Sequence, residues 1–287
     1  MSKRPAEGTP NMAVWQGGGF NFVRFDLAHG TSVDIDKIFH DSIVLLSFEG
    51  CRWTTRSGGE SRIEAPGSIV LRDAGQVFSI KAEEIDVTGG TCREIHFSPA
   101  RLAEIYGTFD NPLPEFEFSR SLLDNPAMAQ ALIRTHRLYE VGACQVEASE
   151  ALTKLLQQVA CQTSNAPLKR TNRVCSKRNA KIIEYMRAHY DQSLSLPELA
   201  SLVEMNPFVL LRQFQKEMGI SPHEYLQIHR VNQAKRHIIR GERLVDVAQI
   251  CGFADQSHLN RQFRRRTGLT PGNYAARRGD MPAARCA

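Results

Sequence analysis

The chain has 287 residues, 42% of them hydrophobic and 23% charged, with 36 Lys+Arg against 31 Asp+Glu. That length and balance exclude a disordered or collagen-like chain and leave room for about two domains, at roughly 150 residues each. The seven cysteines, at 51, 92, 144, 161, 175, 251 and 286, form no CxxC or Cys/His cluster, so neither a disulfide framework nor a structural zinc site is indicated. No apolar run approaches the ~18 residues that span a bilayer. Residues 1–10 lack the apolar core of a secretory signal, and the expected location is a reducing cytoplasm.

Charge is distributed unevenly. Residues 1–168 hold 15 Lys+Arg and 21 Asp+Glu, a net of −6, whereas residues 169–287 hold 21 and 10, a net of +11. An acidic half joined to a basic half predicts a nucleic-acid-binding domain attached to one that does not bind nucleic acid.

In chain order, residues 18–98 read as short strands at 20–25, 42–48, 52–55, 62–65, 69–72, 77–81 and 91–97, separated by Gly- and Pro-containing turns. Six or seven strands at ~10-residue spacing predict a sandwich or barrel. After Pro99 the pattern turns helical. Residues 127–141 carry Met128, Ala131, Leu132, Leu138 and Val141 at near-helical spacing, and 146–161 carry Leu152, Leu155, Leu156 and Val159 on one stripe. That stripe is expected to join two copies of the chain. Residues 162–178, polar and containing Pro167, read as a linker.

From 179 onward the helices have clear boundaries. Asn206-Pro207 is a cap followed by proline, Gly219 a stop, Ser221-Pro222-His223-Glu224 a capping box, and Thr270-Pro271 a further cap. Residues 206–225, NPFVLLRQFQKEMGISPHEY, align with 255–274, DQSHLNRQFRRRTGLTPGNY, at a constant offset of 49 with seven identities, among them Leu210/Leu259, Arg212/Arg261 and Phe214/Phe263. Each copy follows a short amphipathic helix and a tight turn, which is the helix-turn-helix plan, here at 196–218 and 244–267. Leu199, Ala200 and Leu202 should pack on Leu210 and Phe214, and Val247, Ala248 and Ile250 on Leu259 and Phe263. A helix over 222–240 would span roughly 28 Å, near the ~34 Å between successive major grooves on one face of DNA.

At these residues the sequence resembles a known family. ICGFADQSHLNRQFRRRTGLTPGNY, 250–274, is similar to the C-terminal signature of the arabinose-regulator (AraC/XylS) family of bacterial transcription factors, and LASLVEMNPFVLLRQFQKEMGISPHEYL to its first helix-turn-helix. Glu204 departs from the small residue that family often has in the turn. The resemblance implies an α+β chain: a cupin-like β-barrel or jelly roll with dimerising helices over 1–163, a linker over 164–178, and an all-α DNA-binding domain over 179–287. It implies a sequence-specific regulator of transcription with double-stranded DNA and a small-molecule effector as partners. A homodimer is implied too, with RNA polymerase as a further partner if it activates; neither a membrane nor a cofactor is.

Family alignment puts Phe208, Val209, Leu211 and Arg212 on the outer face of the first recognition helix, and Gln256, Ser257, His258 and Arg261 on that of the second. Arg reads guanine, Gln and Ser read base edges, and Phe208 and Val209 suit thymine methyls. Lys216, Arg264, Arg265 and Arg266 suit phosphates. For an effector, Arg52 and Arg56 share a strand face fit for an anion, with Trp53, Arg24, Arg72, Phe22 and His40 as further lining residues. His29, His40 and His96 stand apart in sequence, so no metal site is expected. Two other classes stay open. One is an enzyme, either a metal-free cupin or a DNA-repair protein, although the repair proteins' zinc-binding and alkyl-accepting cysteines have no match in this spacing. The other is a regulator controlled by a partner protein or by thiol oxidation.

Overall fold

The structure is a computed structural model, and it describes residues 11–107, 122–164 and 176–276. Residues 1–10 and most of the expected linker, 165–175, lie outside the described residues. The linker's edges prove helical, since flanking helices reach Ser164 and begin at Lys177.

Among the described residues, ten strands form two antiparallel sheets. One runs β1 (Asn11–Gly17), β2 (Phe20–Leu27), β9 (Gly90–Phe97), β4 (Ile43–Glu49), β7 (Ser68–Arg72) and β10 (Leu122–Asp124). The other runs β3 (Asp34–Ile38), β8 (Phe78–Ile85), β5 (Cys51–Ser57) and β6 (Glu60–Glu64). Strand β4 explains the layering. Its run Ile43-Val44-Leu45-Leu46 is buried throughout because alternate side chains face different cores. Val44, Leu46 and Phe48 pack between the sheets with Trp53, Val70 and Phe78. Ile43 and Leu45 face outward, where helices α2 (Pro126–Glu140) and α3 (Gln145–Ser164) cover the larger sheet. A further helix, α1 (Pro99–Gly107), contributes Leu102 to the same layer.

That layer corrects the expected dimer stripe. Leu152, Leu155, Leu156 and Val159 are buried against their own sheet with Phe22, Ile95 and Leu132, so they are not available to a second copy. An apolar helical stripe demands burial, and the nearest sheet supplies it.

A polar node fastens α2 to the interior strands of the larger sheet. Arg93 donates to Glu49 at 2.9 Å, to Glu140 at 2.6 Å and to His136 Nδ1 at 3.1 Å, and Arg24 also pairs with Glu140. His136 Nε2 then donates to the Val23 carbonyl at 3.0 Å.

The C-terminal part holds α4 (Lys177–Ala188), α5 (Leu196–Ser201), α6 (Pro207–Met218), α7 (Pro222–Ile239), α8 (Leu244–Ile250), α9 (Gln256–Thr267) and α10 (Pro271–Ala275). The caps behave as their chemistry dictates. Asn206 and Asp255 accept from the first-turn amides of α6 and α9, Ser221 and Glu224 form a reciprocal box, and Gly219 and Gly268 close α6 and α9 in left-handed conformation. The helix starts are offset by 48 residues before the turn and 49 after it, so the short helix and turn together are one residue longer in the second unit. Glu204 sits at φ +52°, in the place that Gly252 fills at φ +72° in the second unit. One packing expectation fails: Ile250 is 41% exposed, and Cys251 and Phe253 fill the second core instead. Helix α8 ends before the stripe continues, and the turn redirects the next apolar side chain.

Burial, reinforced by the Arg93 guanidinium, pushes His136 down to about 3. Unfolded histidine titrates near ~6.5, so between those values the unfolded chain binds a proton that the fold excludes. Stability should therefore fall as pH drops through that window, by up to about 1.4 kcal/mol per unit from this group. In urea unfolding at pH 6 and pH 4, His136→Gln should show a shallower pH dependence than wild type; equal dependence would refute this account.

Candidate nucleic-acid interface and effector cavity

Helices α6 and α9 each follow a short helix and a turn, and each rests its inner face on α7. Leu210 and Phe214 of α6 are fully buried with Leu199, Ala200 and Tyr225, and Leu259 and Phe263 of α9 with Val247, Ala248 and Tyr274. Their outer faces are left to solvent. On α6 these are Phe208, Val209, Arg212 and Lys216, all exposed, with Leu211 half-buried. On α9, Gln256, Ser257, Arg261, Arg264 and Arg265 are exposed, while half-buried His258 accepts from the Ala254 amide at 3.4 Å. The structure thus gathers the residues of each expected reading face on one side of one helix. Helix α7 between the units has 18 residues, roughly 27 Å.

Arg266 is the exception in the basic run. It is 4% exposed and donates to the Lys37 carbonyl of β3 at 2.8 Å, so it binds the β domain and is withheld from phosphates. The signal was legible: Leu259, Phe263 and Arg266 recur at helical spacing on the buried face.

Residues 37–41 clasp the helical domain at further points. The Phe39 ring stacks on Tyr225 at 4.8 Å, the Phe39 carbonyl accepts from Asn232 at 3.1 Å, and Asp41 faces His229 at 3.3 Å and Arg236 at 3.9 Å. Lys37 itself has φ +50°, at a bulge between Ile35 and Ile38.

Between the two domains lies a cavity of about 650 Å³. Its walls are apolar: Met12, Val14, Val23, Phe25 and Ile38 from the strands, Ile239 and Tyr274 from the helices. One region is polar. Alternation along β9 turns Cys92, Glu94 and His96 inward, where His96 donates to or accepts from Ser42 at 3.1 Å and meets Glu94 at 2.7 Å. The His40 ring lies 5.0 Å from that of His96, so two histidines distant in sequence meet here. Among the described residues, no group of three or more His, Cys, Asp and Glu side chains could hold a metal ion.

Four cationic residues line this space from the helical domain: Lys235 and Arg236 on α7, Arg240 at its end and Arg266 on α9. Burial lowers the Lys235 ammonium below the usual lysine range, against the pull of Glu94 and Asp41. Desolvation, with His96, Lys235 and Arg72 nearby, holds His40 well below its ordinary value and therefore neutral at pH 7. For Glu94, burial acts upward, but the His96 hydrogen bond and the surrounding positive charge outweigh it, and the carboxyl is ionised. Arg266 Nε and Trp15 Nε1, both on cavity-lining residues, are buried donors with no hydrogen-bond partner.

Of the residues expected to hold an effector, Trp53, Arg72 and His40 line this cavity. Arg72 is committed to Glu64 at 2.7 Å and Thr55 at 3.1 Å, and stacks over Phe78. Arg52 and Arg56 share the outer face of β5, exposed and away from the cavity. Arg24 lies half-buried in the α2 polar node with Asp26 and Glu140, and Phe22 in the core beneath the helices. Lys235, Asn232 and Asp41 escaped sequence reasoning, because only the docking of two domains brings them to the site.

Replacing Arg266 removes a buried charged hydrogen bond, worth about 1.5–3 kcal/mol. Arg266→Ala should therefore lower the unfolding temperature of the full chain measurably, while exposed Arg265→Ala should leave it unchanged. Equal melting of the two variants would reject the clasp.

A helix-turn-helix domain family model matches residues 199–277. The uncharacterised HTH-type transcriptional regulator YbfI of Bacillus subtilis (strain 168) is 28% identical over 225 residues, covering 77% of this chain and 80% of YbfI. The bifunctional transcriptional activator/DNA repair enzyme AdaA of the same organism is 32% identical over 94 residues, 32% of this chain and 44% of AdaA. Among solved structures, an apo single-residue variant of ToxT from Vibrio cholerae strain SCE256 superposes with a TM-score of 0.66 at 14% identity, over 92% of this chain and 99% of ToxT, which establishes the shared two-domain fold. Wild-type ToxT has also been solved with an unsaturated fatty acid bound, at TM-score 0.64 and 13% identity over 91% of this chain and 96% of ToxT. Residues 199–277 thus carry the helix-turn-helix domain of that family model, and in its duplicated units and two-domain architecture the chain is similar to the arabinose-regulator (AraC/XylS) family of transcription factors.

Proposed function

We propose that this chain is a sequence-specific DNA-binding regulator of transcription whose two recognition helices enter successive major grooves, under the control of an effector held in the cavity between its domains. The observation that carries the reading is the pair of equivalent, outward-facing helices in the C-terminal half, whose residues 169–287 have net charge +11, spaced by one long helix. Arg212 and Arg261 are the guanine readers of the two units, with Gln256, Ser257 and His258 as further base contacts. Lys216, Arg264 and Arg265 hold phosphates. Residues up to 163 form the sensing part and those from 179 the DNA-binding part. The chain acts by binding, without catalysis, in the cytoplasm, where its DNA lies. RNA polymerase is the partner when the outcome is activation. Among the described residues, no helix is long and apolar enough to cross a membrane. Self-association as a dimer uses a surface other than the Leu152–Val159 stripe, which its own sheet occupies.

The cavity's chemistry suits an amphipathic carboxylate: apolar walls for a hydrocarbon body, with Lys235 and the unpaired Arg266 Nε for the head. The unsaturated fatty acid in ToxT belongs to the same chemical class. Such a ligand would touch strands and helices together, so occupancy would bear on how the DNA-binding units are held.

Binding-site selection with the full chain tests the first part. Arg261→Ala should relax preference in one segment and Arg212→Ala in another about one helical turn away, each by about 1–3 kcal/mol of discrimination. Arg265→Ala should weaken all duplexes alike and shallow the salt dependence. Identical selected sequences for wild type and both inner arginine variants would reject the two-groove reading. For the effector, oleate should raise the melting temperature of the full chain, by roughly 2.7 kcal/mol of stabilisation at a hundredfold excess over Kd. Lys235→Met should abolish the shift. An unshifted wild type would remove this ligand class.

A further inference from the structure

Helices α6 and α9 are built alike but present opposite chemistry. Both are capped by an Asx side chain, closed by a left-handed glycine and seated through a Leu and a Phe. At the offset of 49, however, α9 carries Ser257, His258 and Asn260 where α6 carries Phe208, Val209 and Leu211. Of the identical pairs in the two helices, only the arginine, Arg212 and Arg261, is exposed on the outer face. Phe208 is 72% exposed and Val209 43%, in the first turn of a helix in a strongly basic domain. The cap fixes them there, because the Asn206 side chain accepts from the Phe208 amide at 2.9 Å. Arg212 lies one turn further along the same face as Phe208, so one positive charge adjoins the apolar pair.

A large apolar side chain held out from a basic helix needs an apolar partner carried on a polyanion. The floor of the major groove offers one such group, the 5-methyl of thymine, since all other base edges there present donors and acceptors. We infer that the first unit identifies its DNA segment chiefly by pyrimidine 5-methyl groups packed against Phe208 and Val209, with Arg212 as its single hydrogen-bonding reader, whereas the second unit reads by hydrogen bonds. The inference rests on the DNA-binding reading above and adds to it an operator of two chemically unlike halves, one recognised by shape and methyl contact and the other by polar base edges. Serine, histidine and asparagine at the matching places of α9 gain nothing from a methyl.

Deoxyuridine isolates the effect, because it pairs as thymine does and lacks only the methyl. A duplex enriched by the full chain is first divided into its two segments by the positions at which Arg212→Ala and Arg261→Ala relax preference. Thymines are then replaced by deoxyuridine in one segment at a time. Replacement in the Arg212 segment should weaken binding about fourfold for each contacted methyl, the worth of one buried methyl-sized group. Replacement in the Arg261 segment should change affinity less than about twofold, since hydrogen-bonded base edges are untouched. Phe208→Ala combined with Val209→Ala should bind thymine and deoxyuridine duplexes equally, and Phe208→Leu should keep part of the difference; circular dichroism confirms that the exposed substitutions leave the helices intact. Indifference of wild type to deoxyuridine in the Arg212 segment would overturn the inference and leave the DNA-binding reading standing, as would equal sensitivity in both segments or sensitivity undiminished in the double variant. A full chain that enriches no sequence at all would overturn both.

Discussion

Helix α7 is the member on which the other parts are assembled. Eleven of its side chains are buried, from Pro222 to Ile238, and they face in every direction around the helix. Tyr225 and Ile228 serve the first helix-turn-helix core, Val231, Ala234 and Ile238 the second, and Asn232 and His229 the β domain. Arg230 spends its guanidinium on the carbonyls of Tyr190 and Gln192, at 2.6 and 2.7 Å, which ties the preceding loop to the same helix. A helix buried on all sides fixes the separation of whatever packs on its two ends. The spacing of the two recognition helices is therefore a property of α7, and anything that acts on α7 acts on both.

The β domain acts on it through a short strip. Residues 37–41 supply a backbone carbonyl to Arg266, another to Asn232, a ring to Tyr225 and a carboxylate to His229. Residues 38, 40 and 41 of the same strip also line the cavity. Domain contact and cavity wall are thus one piece of chain. The charges there are arranged in opposition, with Glu94 and Asp41 from the β domain and Lys235 and Arg266 from the helices. Buried charge is costly unless matched, so a bound anion or its absence changes the balance at the seam between domains and not in the interior of either.

Sequence legibility followed the range of the interaction. Caps, glycine stops and the duplication were legible because each is set within a few residues, as with Asn206, Ser221 and Asp255. The expectation of a sandwich or barrel held, with the strands in two sheets and Ile43–Leu46 buried on both faces. Strand β3 escaped because the bulge at Lys37 breaks its alternation, and β1 because Gly17-Gly18-Gly19 marks a turn whose first arm carries little pattern. The α3 stripe announced that it must be covered, yet no stripe names its cover; Phe22 and Ile95 do so from a sheet far earlier in the chain. The cavity was least legible of all. Lys235 looks like any helical lysine until the β domain is laid over it.

The turns of the two units differ in what they permit. A side chain at Gly252 would bring its first carbon to 2.5 Å from the Asp191 carbonyl oxygen, a collision with backbone that no rotamer relieves. At the matching place in the first unit the chain carries Glu204 in the same left-handed region, with its side chain exposed to solvent. Conformational strain alone costs about 1 kcal/mol and can be offset elsewhere, whereas a backbone collision cannot. Substitution is therefore open to one turn and closed to the other. The first unit is the copy in which new side chains at the turn can be tried, and the second is held to glycine by a residue outside the repeat.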